Sequence, residues 1–101
     1  MDKSIELEYL APTKKVRVST SEEKFTSINV RNSTLDGPNM KFILGLVEEG
    51  CCLFFEGCKF IKSSKIEDPR ILKIKEIRLC ACEVEDLNWF LHSNLQVFHI
   101  E

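Results

Sequence analysis

Alternating apolar and charged residues predict β-strands in the first third of the chain. Ile5, Leu7 and Tyr9 are separated by glutamates, a period of two that is typical of a half-buried strand. A second short strand is predicted around Val16 and Val18, and the β-branched content of residues 25–30 predicts a third.

Residues 40–49 fit two patterns. Apolar residues at positions 40, 43, 44 and 47 have the spacing of an amphipathic helix, whereas those at 40, 42, 44 and 46 alternate as in a strand. Asn39 can cap the start of a helix and Gly50 can follow its end. We therefore predict a short helix here.

The second half of the chain predicts further strands. Residues 51–61 are apolar and aromatic, with a bulge or tight bend expected at Glu56 and Gly57. Residues 71–84 form the longest strand candidate, with a phase slip near Lys75 and Glu76. A short helix is expected over residues 87–93, and a last strand or apolar tail from Leu95. No internal repeat is evident.

These elements predict a mainly β protein, a small barrel or sandwich with one or two short helices. The chain has 101 residues, which is enough for a single domain spanning 1–101. Its first residues are charged and its longest apolar run is too short to span a bilayer, so we expect an intracellular protein, nuclear or cytoplasmic, without a membrane partner.

Motifs that carry chemistry are missing from the sequence. There is no Gly-rich phosphate loop, no Gly-x-Ser-x-Gly and no His-Glu-x-x-His, and nothing near His92 or His99 pairs them with a nucleophile. The five cysteines lack the Cys-x2–4-Cys spacing of structural zinc sites. We predict free buried thiols, no metal or cofactor, and a binding module rather than an enzyme.

Charge is unevenly distributed and suggests an anionic partner. Residues 59–78 carry seven basic and three acidic residues, a local charge of +4 in a chain whose net charge is −2. Aromatic rings beside cations are typical of single-stranded nucleic-acid sites. The predicted nucleic-acid-binding residues are Phe54, Phe55, Lys59, Lys62, Lys73, Lys75 and Arg78. Phe54 and Phe55 are expected on opposite faces of a strand, so at most one is in the core. The alternative is that all the rings are in the core and the lysines form a solvated face.

The segment from Leu46 to Cys82, followed by the acidic residues up to Asp86, resembles the second half of an OB-fold. The likeness is to the single-stranded-DNA-binding domains of the replication protein A large subunit. The resemblance implies an OB-like barrel with a concave binding face, on which Phe54, Phe55, Lys59 and Lys62 would contact single-stranded nucleic acid.

The apolar C-terminal segment suggests an alternative function in protein–protein interaction, within a β-sandwich or barrel. Its residues are of the kinds that anchor interfaces, namely Trp89, Phe90, Leu91, Val97 and Phe98. They would bind a protein partner or a second copy of the chain. They could equally close the core of the domain.

Overall fold

Parallel strands arranged in two sheets make up most of the computed structural model, which describes residues 3–12, 23–61, 68–84 and 94–101. The strands are β1 (Ser4–Glu8), β2 (Phe25–Arg31), β3 (Thr34–Leu35), β4 (Val47–Glu56), β5 (Lys59–Phe60), β6 (Ile74–Cys80), β7 (Glu83–Val84) and β8 (Val97–Ile100). Helix α1 spans Gly37–Leu44, and a 3₁₀ helix spans Pro69–Lys73.

The chain alternates between a large sheet and a small one. The large sheet has the order β1-β2-β4-β6-β8, and the small sheet has the order β3-β5-β7. Every described pairing in both sheets is parallel. Each passage through the small sheet returns the chain to the next position in the large sheet. The fold is therefore a solenoid, in which each repeat packs on its neighbours.

The strand register reveals a repeat. The successive partners of Ile5 are Ile28, Leu53, Ile77 and Phe98, which are 23, 25, 24 and 21 residues apart. Residues 74–84 read IKEIRLCACEV, which matches the leucine-rich-repeat pattern L-x-x-L-x-L-x-x-N/C-x-L. The expectation of no internal repeat was wrong. The repeat is hard to recognise in the sequence because its apolar positions hold isoleucine, valine, phenylalanine and cysteine as well as leucine, and because the repeats differ in length.

Alternate residues of the large sheet form an inner face that builds the core. They are Ile5, Leu7, Ile28, Val30, Leu53, Phe55, Ile77, Leu79, Phe98 and Ile100. On the three central strands all of these side chains are buried. The ring of Phe55 meets that of Phe60, from the small sheet, edge to face with centroids 5.0 Å apart. This contact joins the two sheets across the core.

Helix α1 connects β3 to β4 and covers part of the core. Its start is set by a capping box, in which the Asp36 carboxylate accepts a bond from the Asn39 amide and the Asn39 side chain accepts one from the Asp36 amide. Met40 and Ile43 are fully buried. The predicted helix exists, but it begins three residues earlier than expected and ends at Leu44, because residues from Val47 onward pair with β2 and β6.

The turns that follow β1, β2, β4 and β6 use the same left-handed backbone conformation. Tyr9, Asn32, Gly57 and Ala81 have φ values of 59°, 50°, 63° and 52°. Their amides continue the hydrogen-bond ladder: Asn32 N donates to the carbonyl oxygen of Glu56 at 2.9 Å, and Gly57 N to that of Cys80 at 2.9 Å. The bend predicted at Glu56 and Gly57 is thus one of four equivalent turns.

The prediction of a mainly β chain with short helices is confirmed by the described residues. The predicted strand over residues 71–84 divides into the end of the 3₁₀ helix, β6, a turn and β7. The strand expected at Val16 and Val18 and the helix expected over residues 87–93 lie outside the described residues.

The strand pairing differs from the one that the OB-fold resemblance implied. An OB-fold is a barrel of antiparallel strands, whereas all pairings here are parallel. Among the described strands no barrel closes, since β1 and β8 lie at the two ends of the large sheet. The resemblance of residues 46–86 to replication protein A does not extend to the strand topology.

Candidate functional site: the outer face of the large sheet

The residues that alternate with the inner face form the outer face of the large sheet, which points away from the core. Strand register arranges them in three rows across the strands. The rows are Ser4, Ser27, Cys52, Glu76 and Val97; Glu6, Asn29, Phe54, Arg78 and His99; and Glu8, Arg31, Glu56 and Cys80. Nearly all of these side chains are polar, and none of the fourteen is fully buried.

Phe54 lies near the centre of this face, on the middle strand of the five. Its neighbours in the row are Asn29 on β2 and Arg78 on β6. It is half-buried, whereas the adjacent Phe55 is fully buried in the core. The pair therefore points to opposite faces, as the strand period predicts. An aromatic ring that remains partly exposed among polar residues is available to a partner.

Both arginines of the outer face are already paired with glutamates. Arg31 lies between Glu6 and Glu56, with its Nη2 4.0 Å from Glu6 Oε1 and its Nε 3.3 Å from Glu56 Oε2. The Nε of Arg78 donates to Glu76 Oε1 at 2.5 Å. Their positive charges are thus largely compensated within the face.

Glu76 has a second neighbour on the outer face. The Cys52 thiol donates to its Oε2 at 3.3 Å. The hydrogen bond from Arg78 and then that from Cys52 hold the pKa of the Glu76 carboxyl below its ordinary value. This carboxylate is consequently stabilised in its charged form by groups of the face itself.

Negative charge collects where the strands of the large sheet end. Glu8 and Glu56 close β1 and β4, and Glu101 follows β8. Desolvation raises the pKa of the Cys80 thiol, and the charges of Glu101 and Glu56 raise it further. Glu101 Oε1 also lies 3.0 Å from His99 Nε2. We call Glu8, Glu56 and Glu101 the acidic rim.

The basic residues predicted to bind nucleic acid do not share one surface. Lys59 lies in the small sheet, with its Nζ 3.9 Å from Glu83 Oε2, whereas Arg78 lies on the outer face of the large sheet. Lys73 ends the 3₁₀ helix and Lys75 lies at the start of β6. Lys62 lies outside the described residues.

Of the predicted aromatic contacts, Phe54 is on the outer face and Phe55 is in the core. A fully buried ring has no surface on which a base could stack, so Phe55 is not part of a binding site in this fold.

The predicted partner-binding segment is described only in part. Val97 is on the outer face and 40% exposed, whereas Phe98 is on the inner face and packs against the core. Ile100, next along the inner face, is 54% exposed at the end of the stack. Trp89, Phe90 and Leu91 lie outside the described residues.

Sequence reasoning missed a column of small residues at the turns, Ser33, Cys58 and Cys82, which occupy the N/C position of the repeat. The Ser33 hydroxyl donates to the carbonyl oxygen of Arg31 at 2.9 Å and accepts from the Leu10 amide at 3.0 Å. We call these three residues the turn column. Their spacing of 25 and 24 residues was the signal that could have revealed it.

The described residues contain no group of three or more His, Cys, Asp or Glu side chains arranged to hold a metal ion. In the same parts of the chain, no helix has the length and apolar character needed to cross a membrane. No protein-family model, curated protein or solved structure matches the chain.

Proposed function

We propose that this protein is a non-catalytic binding module and that the outer face of its large sheet binds a protein partner. The observation that carries the proposal is Phe54, a half-buried ring at the centre of a mostly polar face. Solenoid repeats expose continuous sheet surfaces of this kind, and such surfaces commonly bind partners. Aromatic residues near the centre of a face are the usual energetic anchors of interfaces.

The charges of the outer face favour a partner with positive side chains. The face carries four glutamates and two arginines, and both arginines are paired within it. Glu101 adds a carboxylate beside His99, and Lys75 adds a cation near Glu76. Complementary charge would steer a basic partner to the acidic rim and orient it there. Phe54 would then contact an apolar or cationic side chain of that partner.

The same charges do not favour nucleic acid at this face. Both arginines of this face are paired with glutamates, and nucleic-acid affinity depends on unpaired cations that neutralise phosphates. Among the described basic candidates, Lys59 belongs to the small sheet and is near Glu83. A protein partner therefore fits the charges of this face better than nucleic acid does.

The test compares the wild-type protein with two variants of matched chemistry. Phe54→Ser removes the ring from the outer face, and Leu72→Ser removes an apolar side chain that is 42% exposed on the 3₁₀ helix. Each of the three proteins is immobilised and exposed to a mixture of cellular proteins. The proteins that each one retains are then quantified by mass spectrometry. A partner retained by wild type and Leu72→Ser is then purified and titrated against all three.

We expect Phe54→Ser to weaken that partner about tenfold or more, as loss of an interface anchor does, and Leu72→Ser to leave it unchanged. The double variant Glu8→Gln, Glu56→Gln should also weaken it and reduce the dependence of affinity on salt. Equal binding by wild type and Phe54→Ser would refute the proposed face. A different outcome is that a fluorescent single-stranded oligonucleotide binds the wild-type protein at low salt and fails to bind Phe54→Ser. That result would show that the outer face binds nucleic acid and not a protein partner.

A further inference from the structure

Cys58 and Cys82 lie side by side in successive turns of the solenoid. Lys59 and Glu83, the residues that follow them, are register partners in the small sheet, and Glu83 N donates to the carbonyl oxygen of Cys58 at 2.9 Å. Neighbouring strands are separated by about 4.8 Å. That separation falls in the range of about 4.4–6.8 Å between the Cα atoms of disulfide-bonded cysteines.

The two thiols also point in the same direction along the stack. Cys58 Sγ donates to the carbonyl oxygen of Val30 at 3.4 Å, and Cys82 Sγ donates to that of Phe55 at 3.4 Å. Each thiol thus reaches back over the preceding repeat. For Cys82, the preceding repeat is the one that carries Cys58, so the Cys82 thiol is directed toward the repeat of its neighbour.

The two thiols differ in pKa and in exposure to solvent. The interaction with the Cys58 thiol is the largest cause that lowers the pKa of Cys82, and bonds involving nearby backbone groups add to it. The interaction with the Cys82 thiol, and then burial, raise the pKa of Cys58. Cys58 is 2% exposed, whereas Cys82 is only partly buried. Cys82 is therefore the more accessible and more readily ionised of the two.

From this geometry we propose that Cys82 and Cys58 form a two-cysteine oxidation site, in which a peroxide oxidises Cys82 and Cys58 converts the product to a disulfide. Reversible cysteine oxidation generally uses an accessible, easily ionised thiol beside a second thiol that resolves it. The inference concerns the turn column, so it does not depend on the proposed function of the outer face.

The chemistry balances with a peroxide as the only oxidant. The Cys82 thiolate attacks one oxygen of hydrogen peroxide, the O–O bond breaks, and hydroxide leaves behind a sulfenic acid on Cys82. The Cys58 sulfur then attacks the Cys82 sulfur. The S–O bond breaks, the hydroxyl leaves with the Cys58 proton as water, and the S–S bond forms. Overall, the two thiols are oxidised by two electrons and the peroxide is reduced to water.

The other three cysteines lack this combination. Cys51 is fully buried, and desolvation raises its pKa to about 12. Desolvation and the Glu76 carboxylate raise the pKa of Cys52, and desolvation and the rim glutamates raise that of Cys80. A thiol with a raised pKa is a poor nucleophile near neutral pH. Oxidation should therefore be selective for Cys82.

The test treats the full chain with one equivalent of hydrogen peroxide at neutral pH and measures the intact mass. We expect the loss of two hydrogen atoms, restored by a reductant, with Cys58 linked to Cys82 in an unreduced peptide map. In Cys58→Ser, oxidation should stop at a sulfenic acid on Cys82, which dimedone traps. Cys82→Ser should lose no mass, and the matched control Cys80→Ser should behave as wild type.

The wild-type pH profile keeps the proposal testable if a variant fails to fold. The rate of Cys82 oxidation should reach half its maximum below the ordinary pKa range of thiols. A disulfide between any other pair, an unreactive wild-type protein, or a Cys82→Ser variant that oxidises as fast as wild type would overturn it.

Discussion

The two faces of the large sheet use the same five strands in opposite ways. On the inner face, all ten residues are apolar and the central six are buried. The outer face of those strands carries serine, cysteine, asparagine, histidine, glutamate and arginine around Phe54 and Val97. The repeat is thus preserved on the inner face because each strand must pack on the next, whereas the outer face has no such packing requirement.

The largest difference in stability between the two faces is expected when each of two adjacent phenylalanines on β4 is replaced by alanine. Phe55→Ala should lower the free energy of unfolding by about 3–5 kcal/mol, since it leaves a cavity beside Phe60. Phe54→Ala should lower it by less than about 1 kcal/mol, because this ring is partly solvated on the outer face. Urea denaturation of both variants measures the difference. Equal losses would show that the outer face is part of the core.

The turns between the two sheets give a second, smaller test. Gly57→Ala places a Cβ in the left-handed region and 2.8 Å from Asn32 Oδ1, whereas Gly50→Ala has the same backbone penalty with no atom within 4 Å. The left-handed conformation costs about 1–2 kcal/mol in both variants. Gly57→Ala should therefore be the less stable of the two in thermal denaturation. The reverse order would mean that the turn adapts without cost.

The connection between the sheets provides a third test, at helix α1. Asp36→Ala removes the oxygen that accepts the Asn39 amide and should cost about 1 kcal/mol. Asp36→Ser, the matched control, retains an oxygen acceptor and should recover much of that loss. Chemical denaturation measures both. If alanine and serine are equivalent, the capping box does not contribute to stability.

The smallest effect is expected for an ion pair of the outer face. Because the folded-state pKa of Glu76 is depressed, its contribution to stability is present above the ordinary carboxyl pKa and is lost as pH falls through the folded value. Arg78→Gln should raise that pKa in an NMR titration, with a stability loss under about 1 kcal/mol because solvent screens the pair.

A matched control for this titration is Arg70→Gln. Arg70 pairs with Asp68 and lowers the pKa of that carboxyl. The variant should therefore raise the Asp68 pKa and leave that of Glu76 unchanged. A Glu76 pKa that does not respond to Arg78→Gln would show that the Cys52 thiol is the group that controls it.

Several local features could be predicted from sequence because they depend on near neighbours. Alternation located β1, β-branched content located most of β2, and the period of two separated Phe54 from Phe55. The last strand was one of two alternatives, the other being an apolar tail. Turn chemistry identified the bend at Gly57. The helix start was misplaced, since Asp36 is the N-cap and Asn39 is the third residue of the capping box.

Features that depend on distant residues could not be predicted in this way. The period of a strand is the same whether its neighbour is parallel or antiparallel, so a barrel and a solenoid were equally compatible with the pattern. The assembly of Phe54 with the acidic rim required the register of β1, β2, β4 and β6. The proximity of Cys58 and Cys82 depended on the register of β5 and β7.

The sequence alone thus determined that the chain is rich in strands, that side chains alternate between two faces of a strand, and where one tight turn occurs, because side-chain period and backbone preference act over a few residues. Tertiary structure decided that the strands stack in parallel and which polar residues become neighbours. Those outcomes arise from contacts between residues more than twenty positions apart, and each contact exists only once the inner faces have packed together.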